Sequence, residues 1–313
     1  MTRAFLFPGQ GSQAVGMGKP LADAFAAARE TFQEVDDALS QKLSRIMWEG
    51  PEADLLLTEN AQPAIMANAI AVVRVLEKEM GLNLAVHARL VAGHSLGEYS
   101  ALCAAGAFTL ADTARLLKTR GLAMQSAVPV GEGGMTALIG AEIDQAEEVA
   151  KEAAAGGGTC VVANDNAPGQ VVISGTLDAL ARAGEIAKSK GIKRALALPV
   201  SAPFHCPLMK PAADKMAEAL AAVTIRPLSV PVLANVTASE ASDPETVRHL
   251  LVEQVTGRVR WRESILSLRS LGVDSTVEFG NKVLTGMVKR IDKDLATVAL
   301  ETPADLEAFG KSL

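Results

Sequence analysis

Aromatic residues make up only 4% of the 313-residue chain, with one Tyr and two Trp, so the platform on which nucleic-acid bases stack is missing. Positive charge is also short. Thirty Lys and Arg stand against 36 Asp and Glu, a formal net charge of −6, and no overall basic field exists to hold a polyanion. Cys103, Cys160 and Cys206 are the only cysteines, without a C-x-x-C pair, which suggests neither a disulfide framework nor a zinc site. His87, His94, His205 and His249 lack metal-ligand spacing. The most apolar helix-like stretch, 61–76, is interrupted by Asn68 and Arg74 and falls short of spanning a bilayer. The residues before Pro8-Gly9 are too few and too little charged for a signal sequence. A cytoplasmic protein with no metal, membrane or nucleic-acid partner is expected.

What the chain does have is apolar bulk: 49% hydrophobic residues with 26 Gly and 14 Pro, a composition able to bury a sizeable core. A strand is expected over 4–7, running into Pro8-Gly9-Gln10-Gly11-Ser12-Gln13. Helices are expected over 22–39, 61–80, 96–105 and 109–126, with a short strand at 90–92. Glycines and prolines at 129–134 mark a boundary. After it come a strand (135–139), a helix (144–155), two strands (159–163, 171–174), a helix (177–190) and a strand (194–200). This β-α-β-β-α-β order is that of a ferredoxin-like unit. It is complete in about seventy residues, which reads as a small domain, 129–200, inserted into an α/β domain formed by 1–128 and 201–313. In the larger domain, strands at 230–236 and 276–279 and helices at 244–255, 262–271 and 283–291 complete a mainly parallel sheet with a hydrolase-like plan.

Chemistry concentrates in Gly93-His94-Ser95-Leu96-Gly97, a G-x-S-x-G pattern between an expected strand and an expected helix. Ser95 would stand at a helix N-terminus, where free N–H groups favour developing negative charge. The same residues also suit a plain helix cap. A serine nucleophile needs a base. His205 is the best placed, because Pro203 and Pro207 hold its loop rigid; His87 and His249 lie among polar residues, and His94 adjoins the serine. Arg120 falls at the edge of the apolar stripe through Leu117 and Met124, where it could grip a carboxylate. An arginine that merely snorkels at a helix edge would occupy the same position.

Phe7-Pro8-Gly9-Gln10-Gly11-Ser12-Gln13, Gly93-His94-Ser95-Leu96-Gly97-Glu98-Tyr99, Arg120, Asn166-Ala167-Pro168-Gly169-Gln170, Pro203-Phe204-His205 and Val283-Leu284-Thr285-Gly286 occur in this order. Together they resemble the malonyl-CoA:acyl carrier protein transacylase family across nearly the whole chain. Phe279-Gly280-Asn281-Lys282 departs from the Gly-Pro-Gly-like turn common in that family. The resemblance implies an acylated nucleophile at Ser95, a general base at His205 and a malonyl-carboxylate ligand at Arg120. It further implies oxyanion-hole N–H groups at Gln10 and Leu96, and a histidine-orienting carbonyl at Gln254. The substrates implied are malonyl-CoA and acyl carrier protein, with no cofactor, in fatty acid synthesis; a monomer is expected. Leu96 and Phe204 resemble the pattern that favours malonyl over methylmalonyl.

Three other readings share parts of these motifs. A free-standing acyltransferase of polyketide synthesis would carry all of them. A serine acyl hydrolase would need an acid between Ser and His, for which Asp165 or Asp178 could be proposed. A non-catalytic carrier-binding module would bind the carrier without acylation. Because carrier proteins of this class are acidic, one of two basic clusters is expected to meet them: Lys188, Lys190, Lys193 and Arg194, or Lys282, Lys289 and Arg290.

Overall fold

Strands that are buried on both faces must be apolar throughout, and the first strand shows it: in β1 (Arg3–Phe7) the last four residues are all buried. The computed structural model describes residues 2–200 and 202–313. β1 pairs in parallel with β2 (Leu90–Gly93) on one side and β9 (Ser275–Phe279) on the other. β7 (Val232–Ala234) extends the parallel sheet beyond β2, and β10 (Ala296–Leu300) beyond β9. A short antiparallel strand, β8 (Ser239–Ala241), closes the order β10-β9-β1-β2-β7-β8. The chain builds β2 and β7 on one side of β1 and then returns to place β9 and β10 on the other, so the order of the sheet reverses at β1. Ligands of open α/β sheets bind at such a switch point, at the carboxyl ends of the strands.

The second sheet comprises β3 (Gly133–Ile139), β4 (Cys160–Ala167), β5 (Gln170–Thr176) and β6 (Arg194–Ala197) in the order β4-β5-β3-β6, every pair antiparallel. This is the ferredoxin-like arrangement. Its helices, Ile143–Ala155 and Leu177–Ser189, bury alanines and valines against the sheet and form a core of their own.

The structure departs from the sequence expectation where tertiary burial overrides local pattern. The helix expected over 22–39 is two helices, Lys19–Ala24 and Ala26–Leu39, separated by an extended Phe25 whose side chain is buried. The strands expected over 194–200 and 230–236 shorten to Arg194–Ala197 and Val232–Ala234. β8, β10 and the helices Leu43–Glu49, Lys210–Ala221 and Pro303–Gly310 are additions. None of the helices among the described residues is long and apolar enough to cross a membrane.

Candidate active site

β2 ends at Gly93, and the helix Gly97–Ala104 begins four residues later. A Cβ on Gly93 would lie 1.9 Å from the Gly97 backbone, and one on Gly97 would lie 2.2 Å from the Phe7 carbonyl oxygen. Strand, turn and helix can approach this closely only without those side chains. Between the glycines Ser95 adopts φ 53°, in the left-handed region that is costly for a side-chain-bearing residue. His205 does the same at φ 56°. Hydrogen bonds hold the serine in place. Its N–H donates to Asn235 Oδ1 at 2.7 Å, and Asn235 Nδ2 donates to the Gly93 carbonyl at 2.7 Å. Gln254 Nε2 donates to the Ser95 carbonyl at 2.9 Å.

Ser95 Oγ lies 2.7 Å from His205 Nε2, although 110 positions separate the two residues. The other ring nitrogen, Nδ1, faces the carbonyls of Gln254 at 2.9 Å and Gly257 at 3.1 Å. Carbonyls only accept, so Nδ1 carries the proton and Nε2 is left as an acceptor for the serine hydroxyl. Burial, reinforced by the nearby Arg120 charge, pushes the His205 pKa down to about 3, so the ring is neutral. Among the described residues no carboxylate completes a triad. Asp165 is paired with Arg262 at 2.8 Å, and Asp178 stands exposed at the start of the Leu177–Ser189 helix.

Arg120, expected at a helix edge, is 1% exposed. Its Nη1 donates to Gln62 Oε1 at 2.9 Å, and its Nη2 donates to Gln254 Oε1 at 2.9 Å and to Ser95 Oγ at 3.1 Å. The Tyr99 ring lies 5.7 Å from the guanidinium carbon. Every acceptor in contact with this cation is neutral. A buried cation that touches only neutral groups gains from direct contact with an anion, and the site is therefore primed for an anionic ligand. The space available is a cleft of about 300 Å³ between the two sheets. Gln10, Ser95, Arg120 and His205 line one side, and Ala137, Val172 and Leu198 line the other. Phe204, also buried, narrows it.

Gln10 sits in the loop after β1 and Leu96 in the turn after Ser95. Among the described residues, neither backbone N–H has an intramolecular acceptor. His94 does not face the serine hydroxyl as a base. Its Nε2 pairs with Asn166 Oδ1 at 2.7 Å and its ring lies 5.6 Å from that of Trp261. Lys190 is occupied by Glu148 and Glu152. Lys282, Lys289 and Arg290 are exposed around the helix Val283–Ile291, whose Val283, Leu284 and Met287 line the cleft.

Sequence reasoning missed Gln62, Asn235 and Glu98, which complete the polar network. Asn235 and Gln62 belong to no motif, and Glu98 was visible only as the residue after the elbow. Among the described residues no group of three or more His, Cys, Asp or Glu side chains is placed to hold a metal ion.

The model of the acyl transferase domain matches residues 4–289. The malonyl CoA-acyl carrier protein transacylase of Bacillus subtilis strain 168 is 45% identical over 305 residues, 97% of this chain and 95% of that protein. The crystal structure of the acyl-carrier-protein-S-malonyltransferase of Bartonella henselae is similar with a TM-score of 0.97 and 55% identity, covering 100% of this chain and 99% of that one. A malonyl-transacylase in complex with its type II PKS acyl-carrier protein is similar at a TM-score of 0.96 and 41% identity, covering 100% of both chains. The likeness spans both sheets and nearly the whole chain, so the chain belongs to the acyl transferase family, among its malonyl CoA-acyl carrier protein transacylases.

Proposed function

We propose that this protein moves a malonyl group from malonyl-CoA to the phosphopantetheine thiol of acyl carrier protein, the S-malonyltransferase step of fatty acid synthesis. The observation that carries this reading is the convergence on Ser95 Oγ of His205 Nε2 at 2.7 Å and Arg120 Nη2 at 3.1 Å. A nucleophile, its base and a cation for a carboxylate share one point. The similarity to malonyl transacylases over nearly the full chain supports the choice of acyl group and carrier.

The reaction runs as ping-pong acyl transfer. His205 Nε2 takes the Ser95 proton as Oγ attacks the thioester carbonyl. The N–H groups of Gln10 and Leu96 receive the oxyanion, each such donor being worth about 3–4 kcal/mol. The C–S bond breaks, the CoA sulfur leaves with the proton from His205, and malonyl remains esterified to Ser95. The pantetheine thiol then gives its proton to His205 and attacks the ester, and the proton returns to Ser95 as the serine leaves. Backbone carbonyls orient the imidazole but stabilise imidazolium less than a carboxylate would, so the machinery is a dyad. Arg120 selects a dicarboxylic acyl group, because a plain acyl chain leaves the guanidinium without an anion in direct contact. Phe204 leaves little room for an α-methyl. All groups of this scheme are protein side chains and backbone, with both thioester partners as substrates. The exposed Lys282, Lys289 and Arg290, at the rim of the cleft, suit docking of an acidic carrier. A cytoplasmic location fits the chemistry and the free cysteines.

Intact-protein mass after mixing with malonyl-CoA, acetyl-CoA and methylmalonyl-CoA tests the proposal. Malonyl should load, and the adduct should map to Ser95 and discharge onto a phosphopantetheinylated carrier. Rapid conversion to free malonate with no adduct would make the protein a hydrolase instead. Likeness to the type II PKS carrier complex makes a polyketide carrier the second acceptor to compare.

A further inference from the structure

Behind the acyl pocket lies a second buried charge that the transfer scheme does not use. Glu98, on the first turn of the helix Gly97–Ala104, is 1% exposed. Its Oε2 accepts from the Asn235 N–H at 3.0 Å and from Gln254 Nε2 at 2.9 Å. The same Gln254 amide presents Oε1 to Arg120 Nη2 at 2.9 Å. One amide therefore bridges a buried carboxylate and a buried guanidinium that do not touch. Asn235, the other donor to Glu98, also holds the Ser95 N–H.

We propose that Glu98 is the counter-charge of the empty acyl pocket, balancing Arg120 through the shared Gln254 amide and taking up a proton when the carboxylate of an incoming dicarboxylic acyl group reaches Arg120. Glu98 acts through Arg120 and is a positioning residue. The inference rests on the reading of Arg120 as the carboxylate ligand.

The electrostatics follow from the groups around it. Among the described residues Arg120 is the one charge that favours the ionised form of Glu98 through space, and burial opposes ionisation. Tyr99, the titratable neighbour on the same helix, is kept protonated by burial, its pKa pushed up to about 12. β1, β2 and β7, packed against this helix, present Phe7, Val91 and Val232 and similar apolar residues, and the helix Thr58–Met80 offers the Gln62 amide to Arg120. Burial lowers the pKa of both His205 and His94, and the charge of His94 lowers that of His205 further. The balance of burial against Arg120 and two hydrogen bonds leaves the Glu98 pKa raised to about 7. A second carboxylate on Arg120 removes part of that attraction and raises the value further. A proton then moves from solvent to Glu98 as malonyl arrives, and none moves for an uncharged acyl group.

The test is proton uptake during stoichiometric acylation, read by calorimetry in buffers of different ionisation enthalpy, with malonyl-CoA against acetyl-CoA. Both reactions release the same CoA thiol, so their difference isolates the pocket. At pH 7.5–8 malonyl loading should take up a substantial fraction of a proton more than acetyl loading, and the excess should vanish near pH 5.5. Correspondingly, the ratio of KM for malonyl-CoA to KM for acetyl-CoA should climb with pH, by at most about tenfold per unit. Glu98→Gln should flatten this ratio across pH. Equal uptake from the two esters in the wild-type protein would overturn the proposal without any variant, and so would an excess that survives Glu98→Gln. Intact mass on the same samples separates this failure from that of the parent reading, which would show as absence of a malonyl adduct.

Discussion

The two sides of the cleft are built on opposite terms. On the side of the large sheet, Ser95, Arg120, His205, Gln62, Gln254, Glu98 and Asn235 form one hydrogen-bonded network, two of whose members sit in left-handed backbone. On the side of the small sheet, Ala137, Val172 and Leu198 contribute apolar surface beside the amides of Asn164, Asn166 and Gln170. The first side keeps its polar groups paired inside the fold, where a missing partner leaves a desolvated donor or charge. The second fills space. Changes on the polar side should therefore be severe and coupled, and those on the apolar side mild and confined to the shape of the acyl group.

The sharpest test of that contrast is at the dyad. Ser95→Ala and His205→Ala should each lower malonyl loading by about 10⁵–10⁶-fold, and the double variant should be no worse than either, as for residues that act as a unit. Multiplicative losses in stopped-flow acylation would break the picture of a single network. Arg120→Ala comes next. It should weaken malonyl loading by roughly 10²–10³-fold and leave acetyl loading far less affected, so that discrimination collapses. An unchanged malonyl-to-acetyl ratio would remove Arg120 from the carboxylate site. At the seam between the two sides, Phe204→Ala should raise methylmalonyl loading by about tenfold, the scale of one methyl group in an apolar pocket. Leu198→Ala should change it less. If Leu198 had the larger effect, the small sheet and not the histidine loop would set acyl shape.

The smallest effects belong to the rim. Lys289→Glu with Arg290→Glu should reduce carrier-dependent kcat/KM several-fold, more at low salt, with malonyl-CoA loading untouched. Lys188→Glu with Lys193→Glu should do less, because Lys188 lies on the helix Leu177–Ser189 and Lys193 in the loop before β6, and neither lines the cleft. Carrier kinetics that ignore both pairs would mean that docking is not steered by these charges.

The elements that could be read from sequence are those whose cause is local. Gly93 and Gly97 bracket Ser95 because strand, turn and helix must nearly touch, and the pattern of the small sheet follows from alternating strands and helices with alanine-rich inner faces. β8 and β10 escaped notice because each is short or half-exposed, with too little apolar alternation to register. The break at Phe25 has no glycine or proline to announce it; burial of the Phe25 ring decides it. Gln62 and Asn235 reach the site from a long helix and from the end of β7, with neighbours that give no sign of chemistry.

The sequence by itself determined the elbow, the order of the elements in the small sheet and the identities of the groups able to react, since each depends on residues adjacent in the chain or on a repeated spacing. Only the tertiary structure decided that Arg120 is enclosed instead of snorkelling, and that His205 turns Nδ1 toward two carbonyls and not toward an acid. It also set a single amide, Gln254, between Glu98 and Arg120. Burial and charge pairing depend on which distant segments pack together, and periodicity along one helix fixes its inner face without fixing what that face will meet.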